Sequence, residues 1–451
     1  MLSGTRGGQE VGRSPVLNRL TDNLAYDIFG SLTLAPTGPT VASRYTRNPT
    51  SAHVSRGEYF MAYTTQFSEN RILTTHAGAL PRPDDLKPLI AARMEGKKVD
   101  KKKLDKVLTR SIKDVVKKQA DCGLDSVNDG EFNKINFTNY GRERLAGFEL
   151  RLNPGKKFAP LNMIARDEPR FGPYFKNRTL SRGPEIPICV EPLRYVGQKF
   201  IKDDVETFKA SLKGMKVKEA FLPANTPGTI EHWMRNDYYK TEEEFVYAIA
   251  EAMREEYEAI AKAGFILQID DPDLPDGWAC LPKLTVAQYR KYATIRVDAL
   301  NHALRNIPKE QIRLHVCWGS FHGPHSDDIP LKDIIDIIFR VKASSYSIEA
   351  ANPVHEHEWQ VFENVKLPKY STLVPGVIGH CTDFIEHPDL VAQRLVRYAK
   401  LVGRENVLAG TDCGIGPRVG HPEICWAKFE AMAEGAKRAS KQLWSKPKKK
   451  K

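Results

Sequence analysis

The stretch IRLHVCWG (312–319) starts as an apolar, β-branched run and stops at a glycine, which reads as a buried strand reaching a polar edge. Side chains two apart on a strand share a face, so His315 and Cys317 converge while Val316 points away. The pattern recurs at RILTTHA (71–77), LDSVNDG (124–130), EAFLPANT (219–226) and FILQIDD (265–271). It continues at SSYSIEAA (344–351), STLVPGVIG (371–379) and NVLAGTDCG (406–414), which makes eight runs. Amphipathic stretches separate them, among them LDKVLTRSIKDVVKKQADCG (104–123), EEEFVYAIAEAMREEYEAIAKAG (242–264) and HPDLVAQRLVRYAKLVG (387–403). Each of these three closes on the glycine that a helix C-terminus favours. Eight strands alternating with helices predict an α/β protein, a (β/α)8 TIM barrel. A doubly wound sheet is the alternative, but it usually has fewer strands and a glycine-rich phosphate loop, which this sequence lacks.

A barrel of this kind builds its site from the C-terminal ends of its strands. His76, Asp129, Glu131, Asn225, Asp270, Asp271, His315, Cys317, Glu349, Asp412 and Cys413 all fall at such ends. Within this set His315, Cys317, Glu349 and Cys413 offer one imidazole, two thiols and one carboxylate, the donors zinc takes at a tetrahedral site. Three close ligands with a replaceable carboxylate suit a catalytic ion better than a structural one. A buried cysteine taken singly is more often a small apolar filler. The joint placement of the four at strand ends is what points to zinc.

The chain has 451 residues, 41% hydrophobic and 27% charged, the proportions of a soluble globular protein. No apolar stretch reaches the ~18 residues that a membrane span needs, so no membrane partner is expected. The cysteines at 122, 189, 280, 317, 381, 413 and 425 are odd in number and widely spaced. That argues against a disulfide framework and for a reducing compartment, read as the cytoplasm. The net charge of +12 is concentrated: five lysines sit in the tail at 446 and 448–451. The cluster GKKVDKKKLDK (96–106) opens a helical pattern and reads as a solvated face. No aromatic residues alternate with these lysines, so a nucleic-acid partner is not expected.

Residues 1–65 lack periodicity and are rich in Gly, Ser, Thr and Pro, the composition of a disordered extension. Arginines at 6, 13, 19, 44, 47 and 56 would suit a mitochondrial leader, whereas Glu10, Asp22 and Asp27 would not. The barrel is expected over 66–445, followed by a basic tail at 446–451. An insertion at 148–217, after the second strand, carries Pro, Arg and aromatic residues in NPGKKFAPLNM, DEPRFGPYF and RGPEIPICV. A loop of that length is usually functional, so it reads as a lid or substrate wall, with a packing insertion as the plain alternative.

Taken in order, TTHAGALPRP (74–83), NDGEFNK (128–134), LQIDDPDLP (267–275), LHVCWG (314–319), YSIEAAN (346–352) and GTDCGIG (410–416) resemble the cobalamin-independent methionine synthase family. The likeness is to its catalytic C-terminal barrel, over about residues 70–440, in the short single-barrel form. That form is also similar to the epoxyalkane:coenzyme M transferases. The resemblance implies zinc on His315, Cys317, Glu349 and Cys413. It also implies methyl transfer from 5-methyltetrahydrofolate (polyglutamate) to the thiol of homocysteine, giving methionine. Glu131 and Asp270 match the family residues that hold the amino group of homocysteine. His76 in the first-strand motif is a further substrate-binding candidate.

Two positions depart from the family. Its first-strand serine is Ala79 here, which removes a hydrogen-bonding hydroxyl. Its proton-donating histidine follows the seventh strand in a GVxDxH pattern, whereas this chain reads GVIGHCTDF (376–384). Cys381 falls in that register and His380 one residue early, which leaves His380 as the candidate general acid. Three alternatives stay open. One is the same thiol chemistry with an epoxide or another thiol; another is a metal-free decarboxylase-like barrel. The third is a non-catalytic zinc-stabilised scaffold.

Overall fold

The computed structural model describes residues 62–152, 162–176, 185–319, 322–416 and 418–445. The basic tail and all but the last few residues of the N-terminal stretch lie outside them. In chain order the strands are β1 (Leu73–Thr74), β2 (Ser126–Val127), β3 (Leu145–Leu152), β4 (Glu185–Tyr195), β5 (Glu219–Asn225) and β6 (Arg235–Asn236). They continue as β7 (Ile266–Asp270), β8 (Ile312–Val316), β9 (Ser345–Ile348), β10 (Thr372–Ile378) and β11 (Leu408–Thr411). Each of the eight apolar runs supplies one strand of a sheet ordered β1-β11-β10-β9-β8-β7-β5-β2, and every pairing in it is parallel. The two ends of that order meet at Asp125. Its N–H donates to Thr74 O at 3.0 Å and its carboxylate accepts from Thr74 N at 3.0 Å, which brings the sheet round into a (β/α)8 barrel.

The period of two along β8 sets the inside and outside of the barrel. Leu314 and Val316 are buried in the hydrophobic core. Arg313 turns the other way and forms a buried ion pair with Glu219 of β5, and its Nη1 donates to Thr75 Oγ1 at 3.0 Å. A polar layer therefore fills the barrel interior below the rim. His315 is the next residue on that inner face.

The outer helices follow from the amphipathic stretches. Helix Glu242–Lys262 starts at Thr241, whose side chain accepts from Glu244 N, with three glutamates in its first turn to suit the helix dipole. It buries Phe245, Val246, Ile249, Met253, Tyr257 and Ile260, one apolar stripe at helical spacing. Gly264 then takes φ +89°, a left-handed conformation that ends the helix.

The stretch 148–217 is built in parts. β3 and β4 pair antiparallel and β6 joins β4, forming a small second sheet. Helix Gln198–Ser211 packs against helices Lys101–Asp121 and Glu242–Lys262 as part of the outer ring. Between β3 and β4, Arg166 donates to the carbonyls of Trp278, Leu281 and Leu284 at 2.7, 3.1 and 3.1 Å and stacks on the Trp278 ring at 3.3 Å. Asp167 accepts from Ser326 N at 3.1 Å. These contacts tie the inserted stretch to the segments that follow β7 and β8.

Candidate metal centre and substrate rim

Three of the four residues read as ligands come together at the ends of β8 and β11. The donor atoms of His315, Cys317 and Cys413 all lie within 4.8 Å of one another. Cys317 Sγ and Cys413 Sγ are 3.5 Å apart, close to the ~3.8 Å edge of a tetrahedron with Zn–S bonds of about 2.3 Å. His315 Nδ1 shares a 3.1 Å hydrogen bond with Ser347 Oγ, while its buried Nε2 meets no oxygen or nitrogen partner among the described residues. With Nδ1–H donating to the serine, Nε2 presents its lone pair, as a metal-binding imidazole does. A proton shared between the sulfurs holds the Cys413 thiol well below its usual range, with His315 adding to the effect. The same hydrogen bond, and then burial, push Cys317 well above it. The donor set fits a soft, thiolate-preferring divalent ion.

Glu349 stands beside this trio, in a second group with His380 and Asp412 whose donor atoms also lie within 4.8 Å of one another. Its Oε2 accepts from Trp318 N at 2.9 Å and its Oε1 from Asn352 Nδ2 at 2.8 Å. The backbone that follows Cys317 therefore fixes the carboxylate. His380 is buried, and neither ring nitrogen has a hydrogen-bond partner among the described residues. Asp412 Oδ1 accepts from the N–H groups of Ala350 and Ala351, both at 2.8 Å, which locks β9 to β11. Burial pushes Asp412 up to about 6. Gly376, on the intervening β10, lets the Asp412 carboxylate cross to the segment after β9, since a Cβ at that position would collide with it.

Asp270, on β7, is the register neighbour of His315 on β8, and Glu131 follows β2. Glu131 takes φ +60°, an uncommon conformation for a non-glycine residue, held by Asp129 Oδ1 accepting from its N–H at 2.9 Å and by Arg82 donating to its carbonyl at 3.1 Å. A Cβ on Gly78 would stand 2.5 Å from Glu131 Oε1, so the glycine of the first-strand motif makes room for this carboxylate. Lys134 Nζ is 3.5 Å from Glu131 Oε2. Gln268 Nε2 donates to Asp270 Oδ1 at 2.8 Å. Burial pushes Asp270 up to about 8, with Glu131 contributing and His315 opposing.

His76 sits deeper. One ring nitrogen bonds Gln119 Oε1 at 2.8 Å, the other accepts from Gly78 N at 3.3 Å, and burial pulls it down to about 3. Both nitrogens are thus used within the protein.

Residues that the strand pattern does not single out support the rim. The Trp318 ring stacks on His355 with centroids 4.0 Å apart. His355 bonds Glu358 Oε2 at 2.9 Å and Asp328 Oδ2 at 3.1 Å. Burial opposes its charge, but the two carboxylates outweigh burial and raise it to about 10. A histidine raised in the fold stabilises fully below about pH 6.5, and that contribution fades as pH climbs through about 10. His355→Gln leaves two buried carboxylates short of their cation and is expected to cost about 3 kcal/mol at neutral pH. Thermal denaturation at pH 7 and above pH 10 checks this, with the gap between the two proteins narrowing at the higher pH. The spacing HEHE (355–358) is the available sequence signal, with His355 and Glu358 one helical turn apart.

The fold and the rim together define a class: a (β/α)8 barrel whose C-terminal strand ends carry an imidazole, two thiols and flanking carboxylates. A model of the cobalamin-independent synthase catalytic domain matches residues 195–438, more than half of the chain, and the chain belongs to that family. A methionine synthase of Thermococcus kodakarensis is 23% identical over 373 residues, covering 82% of this chain and 94% of that one. One from Pyrococcus furiosus is 23% identical over 371 residues, covering 82% and 93%. In fold the chain is similar to a B12-independent methionine synthase from Shewanella sp. W3-18-1, with a TM-score of 0.63 and 19% identity over 83% of this chain and 100% of the other. It is also similar to a putative enzyme of that type from Listeria monocytogenes, with a TM-score of 0.57 and 18% identity over 84% and 100%. No helix among the described residues is long and apolar enough to cross a membrane.

Proposed function

We propose that the chain is a zinc-dependent, cytoplasmic S-methyltransferase that moves the methyl group of 5-methyltetrahydrofolate (polyglutamate) to homocysteine, giving methionine. The observation that carries this reading is the juxtaposition of His315, Cys317 and Cys413 within 4.8 Å on a barrel of the cobalamin-independent synthase family. His315, Cys317 and Cys413 hold zinc, with Glu349 as the exchangeable fourth ligand. Zinc bound there supplies the positive charge that keeps a substrate thiol ionised at neutral pH, where a free thiol of pKa near 8.5 is mostly protonated.

Glu131 and Asp270 receive the ammonium group of homocysteine. After burial, the nearness of Glu131 is what raises Asp270, and an incoming ammonium relieves it. His380 donates the proton that the folate nitrogen needs as the methyl group leaves. Cys381 is pushed up to about 12, chiefly by burial, and keeps its proton at neutral pH. His76 orders the first-strand loop that places Gly78 beside Glu131.

Asp270→Asn and Glu131→Gln each remove a charge that faces the ammonium. Each is expected to raise the KM for homocysteine about tenfold, ~1.4 kcal/mol, while zinc content stays unchanged. Unchanged saturation by homocysteine in both variants contradicts the assignment.

The Ala79 substitution favours one second reading, the alkylation of another thiol by an epoxide. Ala79 packs so closely on Gly414 that a Cβ on Gly414 would stand 3.0 Å from its own, and the methyl group offers no hydrogen bond where the family has a hydroxyl. Crossing homocysteine, coenzyme M and glutathione with methyl-folate and small epoxides on the zinc-loaded protein separates the readings. A scaffold would bind zinc and consume none of them.

A further inference from the structure

Helix Asp273–Cys280 follows β7 and carries two aspartates and a cysteine at positions i, i+3 and i+7, which places them on one helical face. His232, near the end of helix Pro227–Trp233 after β5, meets that face. Donor atoms of His232, Asp273 and Asp276 lie within 4.8 Å of one another, and all three residues are buried. His232 Nε2 is 3.2 Å from Asp273 Oδ1 and 3.6 Å from Cys280 Sγ. In a tetrahedral zinc site with bonds of about 2.0–2.1 Å to N and O and about 2.3 Å to S, those edges are ~3.3 and ~3.6 Å. We propose that His232, Asp273, Asp276 and Cys280 form a second divalent-cation site, separate from the His315 centre, of the closed four-ligand structural type.

Charge and support point the same way. Burial, then the neighbouring Asp276 and Asp271 carboxylates, push Asp273 well above the usual carboxylate range, and a cation held there would relieve both effects. The nearby Arg296 is committed to Glu231 at 2.9 Å. Trp233 Nε1 donates to Asp273 Oδ2 at 3.3 Å, an outer contact that orients the carboxylate. A Cβ on Gly319 would stand 3.2 Å from the Asp276 carboxylate, so the aspartate rests against the chain two residues beyond Cys317. A cation at His232 would thus staple the segments after β5 and β7 together beside the substrate rim. The competing account is a hydrogen-bonded histidine–aspartate cluster with no ion.

The experiment uses the full-length chain, equilibrated with zinc and freed of loose metal, with zinc per chain read by mass spectrometry. The Cys317→Ser/Cys413→Ser variant, which empties the first centre and leaves the second intact, is expected to retain one zinc. Adding Asp276→Asn and Cys280→Ser removes it. Cobalt is the second probe, because a thiolate-to-cobalt charge-transfer band requires a cysteine ligand. The Cys317→Ser/Cys413→Ser chain loaded with Co2+ shows such a band, and Cys280→Ser abolishes it. A zinc-free Cys317→Ser/Cys413→Ser chain, or a band that survives Cys280→Ser, overturns the proposal. Neither readout depends on the reaction proposed above.

Discussion

Replacing Cys413 or Cys317 by Ser is expected to cost one zinc per chain and to lower thiol transfer at least about 10²-fold, while the barrel stays folded. Serine is nearly isosteric with cysteine but a much poorer zinc ligand, so the change acts on the donor and hardly on packing. Cys317 is buried at the end of β8 between Val316, which packs into the core, and Trp318. The Trp318 ring rests on His355 and its indole N–H donates to Ile329 O at 2.7 Å, neither of which involves the sulfur. Circular dichroism should therefore match the parent while metal analysis does not. If both variants keep full zinc at the His315 centre, the ligand assignment is wrong.

His380→Gln is expected to slow methyl transfer from methyl-folate by roughly 10²-fold or more, the usual scale for losing a general acid. Zinc content and homocysteine binding should not change. The geometry supports the role: a buried imidazole with both nitrogens unbonded among the described residues, its donor atom within 4.8 Å of those of Glu349 and Asp412. Alkylation by a small electrophile whose leaving group needs no proton should be spared, which distinguishes acid catalysis from a collapsed site. A variant with full methyl-folate activity removes His380 from the mechanism.

The barrel was legible because its eight strands are buried on both faces and therefore read as apolar runs ended by glycine or polar residues. The alternation Arg313, His315, Cys317 on β8 also told which side chains share the inner face. The small sheet of β3, β4 and β6 was not legible. β4 is interrupted by Pro187 and Pro192, and pairings such as Leu145 with Tyr195 join residues far apart in sequence.

The site divides in the same way. Residue type and strand position nominated His315, Cys317, Glu349 and Cys413, but not that Glu349 would group with His380 and Asp412 beside the other three. That division depends on the Trp318 N–H, which reaches the carboxylate from the loop after β8, and on the Asn352 amide within the loop after β9. Asp273, Asp276 and Cys280 share a face only because the segment after β7 turns into a helix. His232, supplied by the preceding βα unit, became their neighbour only through the fold.

The central claim is that zinc at His315, Cys317 and Cys413 activates homocysteine for methylation. The most direct measurement incubates the zinc-loaded chain with homocysteine and 5-methyltetrahydrofolate triglutamate and follows methionine by mass spectrometry. Methionine formed by the parent, and lost in Cys413→Ser, is the predicted result. A fully zinc-loaded parent that forms no methionine, or a Cys413→Ser chain that forms it at the parent's rate, would contradict the account.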